Sequence, residues 1–333
     1  MIQAQHQASI SESPTSIKLS VIIPMYNEEE NAAHTITRID ETLQSMGQPY
    51  EIIPVNDGST DNTLKVIDDF AQHNPYVNVV SYWKNGGRGK ALRYGFQAAR
   101  GEYIATIDAD LSYDPEYLLK MVAVLNEESD IDVVLASPYM DGGKTEGVPG
   151  DRLFISRMGN KILQMAVPEK IYTLTCIVRC YRRQVIESLD LESNDKEIHL
   201  EILSKVLAMG YRIKEIPAIL TGRKMGSSKF TFRSTAISHI LFTIFERPVL
   251  LFGIIGIFLA LTGAGVGVYI LALYFTDALN PNRPLITLMI VFLLGGMQIL
   301  SFGFLASQIN YLRKEVLRVR KAITHYNSSD NET

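Results

Sequence analysis

Two long stretches without a charged residue constrain this chain more than any other feature of its sequence. Residues 248–275 and 285–312 contain no Asp, Glu, Lys or Arg. About 20 apolar residues suffice to cross the hydrocarbon of a bilayer, because an α-helix rises 1.5 Å per residue. Two buried helices of a soluble core are the alternative. The length favours a transmembrane hairpin made of residues 248–275 and 285–312.

Basic residues flank this hairpin on both sides. They are Arg223, Lys224, Lys229, Arg233 and Arg247 before it and Arg313, Lys314, Arg318, Arg320 and Lys321 after it. Basic flanks remain on the cytoplasmic side of a membrane. Residues 1–17 are polar and lack the pattern of a signal peptide, so we expect them to be disordered. The sequence therefore predicts an integral membrane protein whose N-terminal domain, basic tail (313–333) and both termini are cytoplasmic.

The segment before the hairpin has an amphipathic pattern. Apolar and polar residues interleave over 232–247, which predicts a helix in the membrane interface. A helix packed on the soluble domain is the alternative. Glycines within the two spans allow close helix contacts, either inside the hairpin or between subunits. We expect a homo-oligomer.

The first half of the chain alternates strand and helix patterns. Strands are predicted at 19–24, 51–55, 77–82 and 103–107, and helices at 28–46, 61–73 and 91–100. This alternation is typical of α/β folds with a mostly parallel, doubly wound sheet, and we assign it to a domain over 18–231. Ligands bind such sheets at the carboxyl ends of the strands.

Composition excludes several classes of protein. Hydrophobic residues make up 47% of the chain, which excludes global disorder. The net charge of -4 argues against nucleic acid as a partner. Two cysteines, Cys176 and Cys180, cannot form a disulfide framework, and we expect buried thiols.

The sharpest chemical pattern is Asp108-Ala109-Asp110, directly after a predicted strand. Two carboxylates one residue apart can bind one hard divalent cation, Mg²⁺ or Mn²⁺. A departing diphosphate needs such a cation, because negative charge builds on its bridging oxygen. The pattern therefore predicts catalytic and metal-binding roles for Asp108 and Asp110.

Two further strand ends carry polar residues. Asp57 follows the second strand, where its carboxylate can accept a hydrogen bond from a nucleobase or ribose. Tyr26 and Glu28 follow the first, where a ring can stack on a base and a carboxylate can bind a ribose hydroxyl. An Asx turn that caps the next helix is the alternative for the Asp57 segment.

These motifs occur in a familiar order. Ile23-Pro24-Met25-Tyr26-Asn27-Glu28, Asn56-Asp57-Gly58-Ser59-Thr60-Asp61, residues 85–101 and Asp108-Ala109-Asp110 follow one another as in family 2 glycosyltransferases of GT-A fold. With Arg223, Gly226-Ser227-Ser228-Lys229 and the hairpin, the chain resembles the dolichol-phosphate mannose synthase and polyprenyl-phosphate glucosyltransferase branch. The resemblance covers residues from about 18 to the end of the second span.

The resemblance implies a role for each matching residue. Pro24, Tyr26, Glu28, Asp57 and Asp108 match nucleotide-sugar-binding positions, and Asp110 matches the metal-binding aspartate. Relatives often have Gln as a further ligand where this chain has Ser112. The acceptor-phosphate positions match Arg152, Arg157, Thr175, Arg179, Arg223 and Lys229.

The chain departs from the family pattern around the acceptor site. Pro138 replaces an expected arginine in Ser137-Pro138-Tyr139, and residues 173–179 lack the usual aspartate and glycine. These departures lead away from the mannose-synthase pattern. We therefore favour UDP-glucose over GDP-mannose as the donor.

The sequence as a whole predicts inverting transfer of a hexose from a nucleoside-diphosphate sugar to a polyprenyl phosphate at the cytoplasmic membrane face. A phosphate acceptor is already anionic and needs no general base. A hydroxyl acceptor would need one, and Glu197 or Glu201 could serve. A catalytically silent membrane scaffold is the alternative from another class.

Overall fold

The computed structural model describes residues 16–166, 171–222, 248–276 and 284–330. The described strands are β1 (Leu19–Met25), β2 (Tyr50–Asp57), β3 (Val80–Tyr82), β4 (Tyr103–Thr106), β5 (Val133–Ser137), β6 (Lys144–Glu146), β7 (Arg179–Arg182), β8 (Ile213–Pro217) and β9 (Ile219–Thr221). The described helices are α1 (Ala32–Gln44), α2 (Thr63–His73), α3 (Arg88–Ala98), α4 (Glu116–Glu127), α5 (Gly150–Ala166), α6 (Arg183–Ser188), α7 (Ile198–Ala208), α8 (Pro248–Phe275) and α9 (Leu285–Asp330).

Seven of these strands form one sheet in the order β3-β2-β1-β4-β7-β5-β8. Neighbouring strands are parallel except at β7, which runs antiparallel to both β4 and β5. The predicted α/β fold with a mostly parallel, doubly wound sheet is confirmed. Strands β6 and β9 form a separate parallel pair.

Both faces of the sheet are covered, as the continuous apolar run of β1 requires. Alternate residues of a strand point to opposite faces, so Val21 and Ile23 pack in one core cluster with residues of α1 and α4. Ile22 packs in a second cluster with residues of α3 and α7. All three side chains have no exposed surface. The sheet therefore separates two apolar layers, and polar residues follow the carboxyl ends of β1, β2 and β4.

Several boundaries differ from the predicted ones. Helix α1 begins at Ala32, four residues after its predicted start, and Asn27 does not cap it. Asn27 has a positive φ of 52°, and its amide oxygen accepts a hydrogen bond from the Thr60 N–H (2.8 Å). Strand β3 begins at Val80, since Val77 makes only an isolated bridge to Ile52. Helix α3 begins at Arg88 instead of residue 91.

Helices α8 and α9 are long and apolar enough to cross a membrane, and their side chains are mostly exposed. Ile254 and Phe258 are 70% and 67% exposed, so α8 is not the buried helix of a soluble core. Glycines bring the two helices together: a Cβ at Gly296 would lie 2.7 Å from the Ala260 nitrogen, and one at Gly256 would lie 2.7 Å from Leu300 Cγ. These glycines serve contacts within the hairpin.

Some sequence-based expectations lie outside the described residues. They concern the predicted disordered N-terminus up to residue 15, the predicted interfacial helix at 232–247, and the acceptor residues Arg223 and Lys229. Helix α9 begins at the predicted residue, but it runs on to Asp330 through most of the predicted basic tail.

Candidate functional site

The carboxyl ends of β1, β2 and β4 meet at one edge of the sheet. Met25 pairs with Asn56, and Ile22 pairs with Thr106. Because the three strands are parallel neighbours, the residues that follow them emerge side by side. The structure thus brings together the predicted segments around Tyr26, Asp57 and Asp108.

Hydrogen bonds join the loop after β1 to the loop after β2. The Asn27 N–H donates to Ser59 Oγ (3.0 Å), and the Glu28 N–H donates to Thr63 Oγ1 (2.8 Å). Further along, the Asn62 N–H donates to the Glu29 carboxylate (2.9 Å). Pro24, Tyr26 and Glu28 themselves are half-buried. This bonding fixes the two loops as one surface.

Asp57 is buried and holds a third loop. Its carboxylate accepts hydrogen bonds from the backbone N–H of Gly86 (2.6 Å) and of Gly87 (2.9 Å), and from the Asn85 side-chain amide (3.1 Å). Charge-assisted bonds of this kind are stronger than neutral ones. Asp57 therefore organises residues 85–87 in this structure, while its predicted contact with a nucleotide stays a prediction.

Arg88 is a site residue that the sequence reasoning missed. It is the first residue of α3, and its guanidinium lies 3.3 Å from the Asp108 carboxylate. The glycines around it permit close packing: Gly87 has a φ of +88°, and a Cβ at Gly89 would lie 2.9 Å from the Asp195 carbonyl oxygen. The signal was the Gly86-Gly87-Arg88-Gly89 run, which matches no phosphate-loop pattern but places a cation at the edge of the sheet.

The loop that carries Asp108 and Asp110 is fixed by its own side chains. Ser112 donates to Asp110 Oδ1 from both its N–H (3.0 Å) and its hydroxyl (2.6 Å). Leu111 has a positive φ of 49°, which turns the chain back. The Ser112 carbonyl accepts a hydrogen bond from the Thr221 N–H (2.9 Å), which ties the loop to β9. Ser112 thus orients Asp110.

The two aspartates suit a divalent cation. Carboxylate oxygens are the ligands of Mg²⁺ and Mn²⁺, which commonly complete their shells with substrate phosphates and water. Within the described residues no group of three or more His, Cys, Asp and Glu side chains could hold a metal ion. The binding of Mg²⁺ or Mn²⁺ by Asp108 and Asp110 stays a prediction.

Tyr113, Cys176 and Cys180 belong to the core cluster that also contains Ala109 of this loop. Burial raises the pKa of the Tyr113 hydroxyl well above its usual value, and the neighbouring Cys176 raises it further. Burial also raises the pKa of the Cys176 thiol to about 11 and that of Cys180 to about 12. Both cysteines are free and buried, as predicted. The raised pKa values keep both thiols protonated near neutral pH.

The position of Arg179 disagrees with its predicted role as a contact of the acceptor phosphate. Its side chain has no exposed surface, and its guanidinium donates to the carbonyl oxygens of Cys176 (2.6 Å), Leu174 (2.7 Å) and His199 (3.0 Å). These contacts fix the chain before β7 and α7 in the interior. Arg179 cannot reach a lipid phosphate from there.

His199 is buried in the same region. Its Nε2 has no hydrogen-bond partner among the described residues. Burial lowers its pKa well below the usual value, and the positive charges of Arg179 and Arg88 lower it further. His199 is therefore neutral in the folded protein.

Three other predicted acceptor residues lie on α5 or before β7. Arg157 is exposed on α5 with its guanidinium 5.9 Å from the Tyr139 ring centre, and Tyr139 donates to Ser156 Oγ (2.8 Å). Thr175 is half-buried in the segment before β7. Arg152 lies on α5, and its side chain is outside the described set. Their contact with a lipid phosphate stays a prediction.

Glu201 is not available as a general base. Its carboxylate accepts hydrogen bonds from the N–H groups of Glu192 (3.0 Å) and Ser193 (2.8 Å) and from Lys205 (2.6 Å). Burial tends to raise its pKa, but these bonds outweigh burial and lower it. The hydroxyl-acceptor alternative therefore rests on Glu197, an exposed residue at the start of α7.

Comparison with known proteins places this geometry in a family. The model for glycosyl transferase family 2 matches residues 20–190, which include β1 to β4 and the aspartate loop. The undecaprenyl-phosphate 4-deoxy-4-formamido-L-arabinose transferase of Klebsiella pneumoniae is 28% identical over 308 residues, 91% of each chain.

Solved structures share the fold. Glucosyl-3-phosphoglycerate synthase from Mycobacterium tuberculosis, crystallised with Mn²⁺, UDP and phosphoglyceric acid, superposes with a TM-score of 0.54 at 20% identity. That comparison covers 69% of this chain and 78% of the synthase. A second complex of the synthase, with glucosyl-3-phosphoglycerate, also gives 0.54, at 17% identity over 73% and 86% of the two chains. The sheet with its one reversed strand is thus a GT-A fold, and the chain belongs to glycosyl transferase family 2.

Proposed function

We propose that this transferase moves a sugar from a nucleoside-diphosphate sugar to a polyprenyl phosphate at the cytoplasmic face of a membrane. The extent of one similarity carries the proposal. The Klebsiella pneumoniae relative, named for transfer to undecaprenyl phosphate, aligns over 91% of this chain. An alignment of that length extends beyond the family region at 20–190 and through α8 into the start of α9. The similarity therefore includes part of the apolar hairpin as well as the sheet domain.

The donor would bind at the joined loops of the sheet edge. Tyr26, Glu28, Asp57 and Pro24 supply the nucleotide contacts in this proposal, with Asp108 near the ribose or sugar. Mg²⁺ or Mn²⁺ held by Asp110 and Asp108 would stabilise the charge of the departing nucleoside diphosphate. Arg88, beside Asp108, is a cation of the chain itself at the same place.

The acceptor phosphate has to be aligned with the donor sugar, but it does not have to be deprotonated. A polyprenyl phosphate is anionic near neutral pH, so no residue has to remove a proton from it. The engagement of Glu201 in structural hydrogen bonds agrees with a site that has no dedicated base. The proposed phosphate contacts are Arg152, Arg157, Thr175, Arg223 and Lys229. In-line attack would invert the anomeric carbon and give a β-linked lipid from an α-linked donor.

The choice of sugar follows from the departures from the family pattern. We favour glucose from UDP-glucose, with mannose from GDP-mannose as second choice. The family-pattern departures at Pro138 and Thr173 support this order. In the structure Thr173 is buried, and its hydroxyl is bonded to that of Ser137 (2.7 Å). The Klebsiella pneumoniae relative acts on a formamido-arabinose, so a nucleotide-linked sugar of that kind is the third candidate.

Transfer to lipid tests the reaction class directly. Membranes that contain the full chain would receive each radiolabelled donor separately, with a polyprenyl phosphate and Mg²⁺ or Mn²⁺. We expect organic-soluble label from one donor, and loss of that label when EDTA removes the metal. Intact donor binding without lipid-linked label from any donor would reject the polyprenyl-phosphate acceptor. Label that persists in EDTA would reject the metal while keeping the transfer.

A further inference from the structure

Helix α9 does not end where its apolar stretch ends. It is continuous from Leu285 to Asp330, although its uncharged residues stop at Leu312. We call residues 313–322 the stem. The stem carries charged residues, as a helix segment in water requires, and it leaves the hairpin without a break in the helix.

One face of the stem contacts the sheet domain. Leu317 packs against the core cluster that includes residues of α6 and α7. The Arg320 guanidinium lies 3.2 Å from Asp190 Oδ2, and the Lys321 Nζ lies 3.7 Å from the centre of the Tyr211 ring. Residues three and four apart lie on the same side of a helix, so these contacts form one face.

The surface that contacts the stem is held by hydrogen bonds within the sheet domain. Tyr211 is buried, and its hydroxyl donates to Ser188 Oγ (3.1 Å). The Asp190 carbonyl accepts a hydrogen bond from Lys205, which also pairs with Glu201 (2.6 Å). The stem therefore contacts residues that are themselves held by hydrogen bonds within the domain.

The same surface leads directly to the candidate active site. The Asn194 carbonyl, four residues after Asp190, accepts a hydrogen bond from the Lys90 N–H (3.1 Å). Arg93 donates to the Leu191 carbonyl (3.0 Å). Both donors are on α3, whose first residue Arg88 pairs with Asp108. Residues 190–194 thus lie between the stem and the site.

At its other end, the stem continues into a tightly packed hairpin. A Cβ at Gly263 would lie 2.9 Å from the Leu293 nitrogen, and one at Gly303 would lie 2.8 Å from Phe252 Cβ. Backbones this close leave little freedom for α9 to tilt against α8. The hairpin is therefore closely packed as far as Gly303, and α9 alone connects it to the contacts of the stem.

We infer that the stem is a strut that holds the catalytic domain at a fixed height and orientation above the membrane, with Leu317, Arg320 and Lys321 as positioning residues. Lys321 lies nine residues after Leu312, about 14 Å along the helix. That distance places the contact just beyond the headgroups, each layer of which adds roughly 5–8 Å to the hydrocarbon. The inference rests on the proposed function for its benefit to catalysis, because only a membrane-embedded acceptor requires a fixed height.

Turnover of two acceptors would show whether the stem positions the domain. The full-length chain in phospholipid vesicles would be assayed with a long polyprenyl phosphate embedded in the bilayer and with a short, water-soluble prenyl phosphate. The stem variant is Leu317→Ala/Arg320→Ala/Lys321→Ala. The matched control is Val316→Ala/Arg318→Ala/Val319→Ala, whose side chains are exposed on the same helix. Alanine preserves the helix in both.

We expect the stem variant to lose about tenfold in turnover of the embedded acceptor, since small misplacements of reacting groups are costly. Turnover of the soluble acceptor and the donor KM should remain within twofold of the control. Equal loss with both acceptors, or loss with neither, would overturn the inference. Arg320→Asp should also lower turnover of the embedded acceptor, and Asp190→Arg/Arg320→Asp should restore it.

A second measurement does not depend on activity. The chain has one tryptophan, Trp83, which is on the sheet domain and 95% exposed. Energy transfer from Trp83 to vesicle lipids with dansyl-labelled headgroups reports the height of the domain. The stem variant should change the transfer efficiency, and the control should match the wild type; an unchanged efficiency in the stem variant would overturn the inference. If the wild type transfers no sugar to either acceptor, the proposed function fails, and this measurement still decides whether the strut exists.

Discussion

Apolar side chains have opposite surroundings in the sheet domain and in the hairpin. In β1, Val21, Ile22 and Ile23 have no exposed surface, whereas Ile254 and Phe258 in α8 are 70% and 67% exposed. Burial of apolar surface drives the folding of the first region in water. In a bilayer this driving force between helices is absent, and close packing of small residues takes its place.

The difference shows in what glycine does in each region. At Gly296 in α9 a missing side chain lets two backbones touch. At Gly87 in the domain a positive φ lets the loop turn into the Asp57 carboxylate. The domain uses glycine for polar geometry, and the hairpin uses it for packing. Changes that affect one region alone should therefore leave the properties of the other intact.

Asp110→Ala has the largest expected effect, and this effect is confined to the sheet domain. We expect sugar transfer to fall at least about 100-fold, as for the loss of other groups that stabilise a developing charge. The hairpin should keep its thermal stability in detergent. Asp141→Ala, which removes an exposed carboxylate of the same domain, is the control and should retain activity. Activity near the wild type in Asp110→Ala would contradict the assignment of the metal to this loop.

Asp57→Asn tests the organisation of the site by a buried carboxylate. Asparagine offers one acceptor oxygen and one donor group, so it cannot receive both the Gly86 and Gly87 N–H groups as the carboxylate does. We expect the donor KM to rise about tenfold, since hydrogen bonds to charged groups contribute roughly 1.5–3 kcal/mol. Asp68→Asn, on the exposed surface of α2, should leave it unchanged. An unchanged KM in both variants would show that this loop does not affect donor binding.

Gly296→Ala tests the packing of the hairpin. Its new Cβ would lie 2.7 Å from the Ala260 nitrogen, so the two helix backbones must move apart. Overpacking of this kind costs about 1–3 kcal/mol, which should appear as a lower unfolding temperature of the hairpin in detergent. Gly295→Ala meets no atom within 4 Å and is a matched control one residue away. Equal unfolding temperatures for the two variants would contradict the observed packing.

The smallest predicted effect is a dependence of stability on pH that the sheet domain has and the hairpin lacks. His199 is neutral when folded, whereas it gains a proton below about pH 6.5 when unfolded. The unfolded state then binds more protons, so the stability of the sheet domain should fall as pH decreases from 7.5 to 5.5. The slope from this residue approaches about 1.4 kcal/mol per pH unit.

His199→Leu should remove that part of the slope. Denaturant titrations of the two proteins at pH 5.5, 6.5 and 7.5 would measure it. The hairpin spans contain no charged residue, so their stability should not follow pH in either protein. Identical slopes in wild type and variant would mean that His199 is protonated in the folded state.

The parts of the fold that depend on local pattern were predictable from sequence. The apolar runs of β1, β2 and β4 and the polar residues after them specify the sheet and its edge. The reversed β7 was not predictable, because its direction depends on pairing with β4 and β5, which are distant in sequence. The start of α1 was placed too early, since the left-handed conformation of Asn27 depends on the loop after β2.

The candidate site was predictable at its acidic residues and less so at its basic ones. Asp108 and Asp110 follow β4 within four residues, so the end of the strand brings them to this edge of the sheet. The role of an arginine depends on what surrounds it: Arg88 reaches the site because Gly89 allows α3 to pack against residues 193–195. Arg179, in contrast, is enclosed by three carbonyl oxygens that the sequence does not place near it.

The contact between the stem and the sheet domain limits how this protein can be recombined. A hybrid enzyme that joins this catalytic domain to the anchor of another protein would leave Asp190 and Tyr211 opposite foreign residues. A crossover before α8 is therefore not sufficient by itself, and a second crossover near Leu312, at the end of the uncharged stretch, keeps the stem with the domain. A hybrid protein should therefore take the sheet domain and the stem from the same parent.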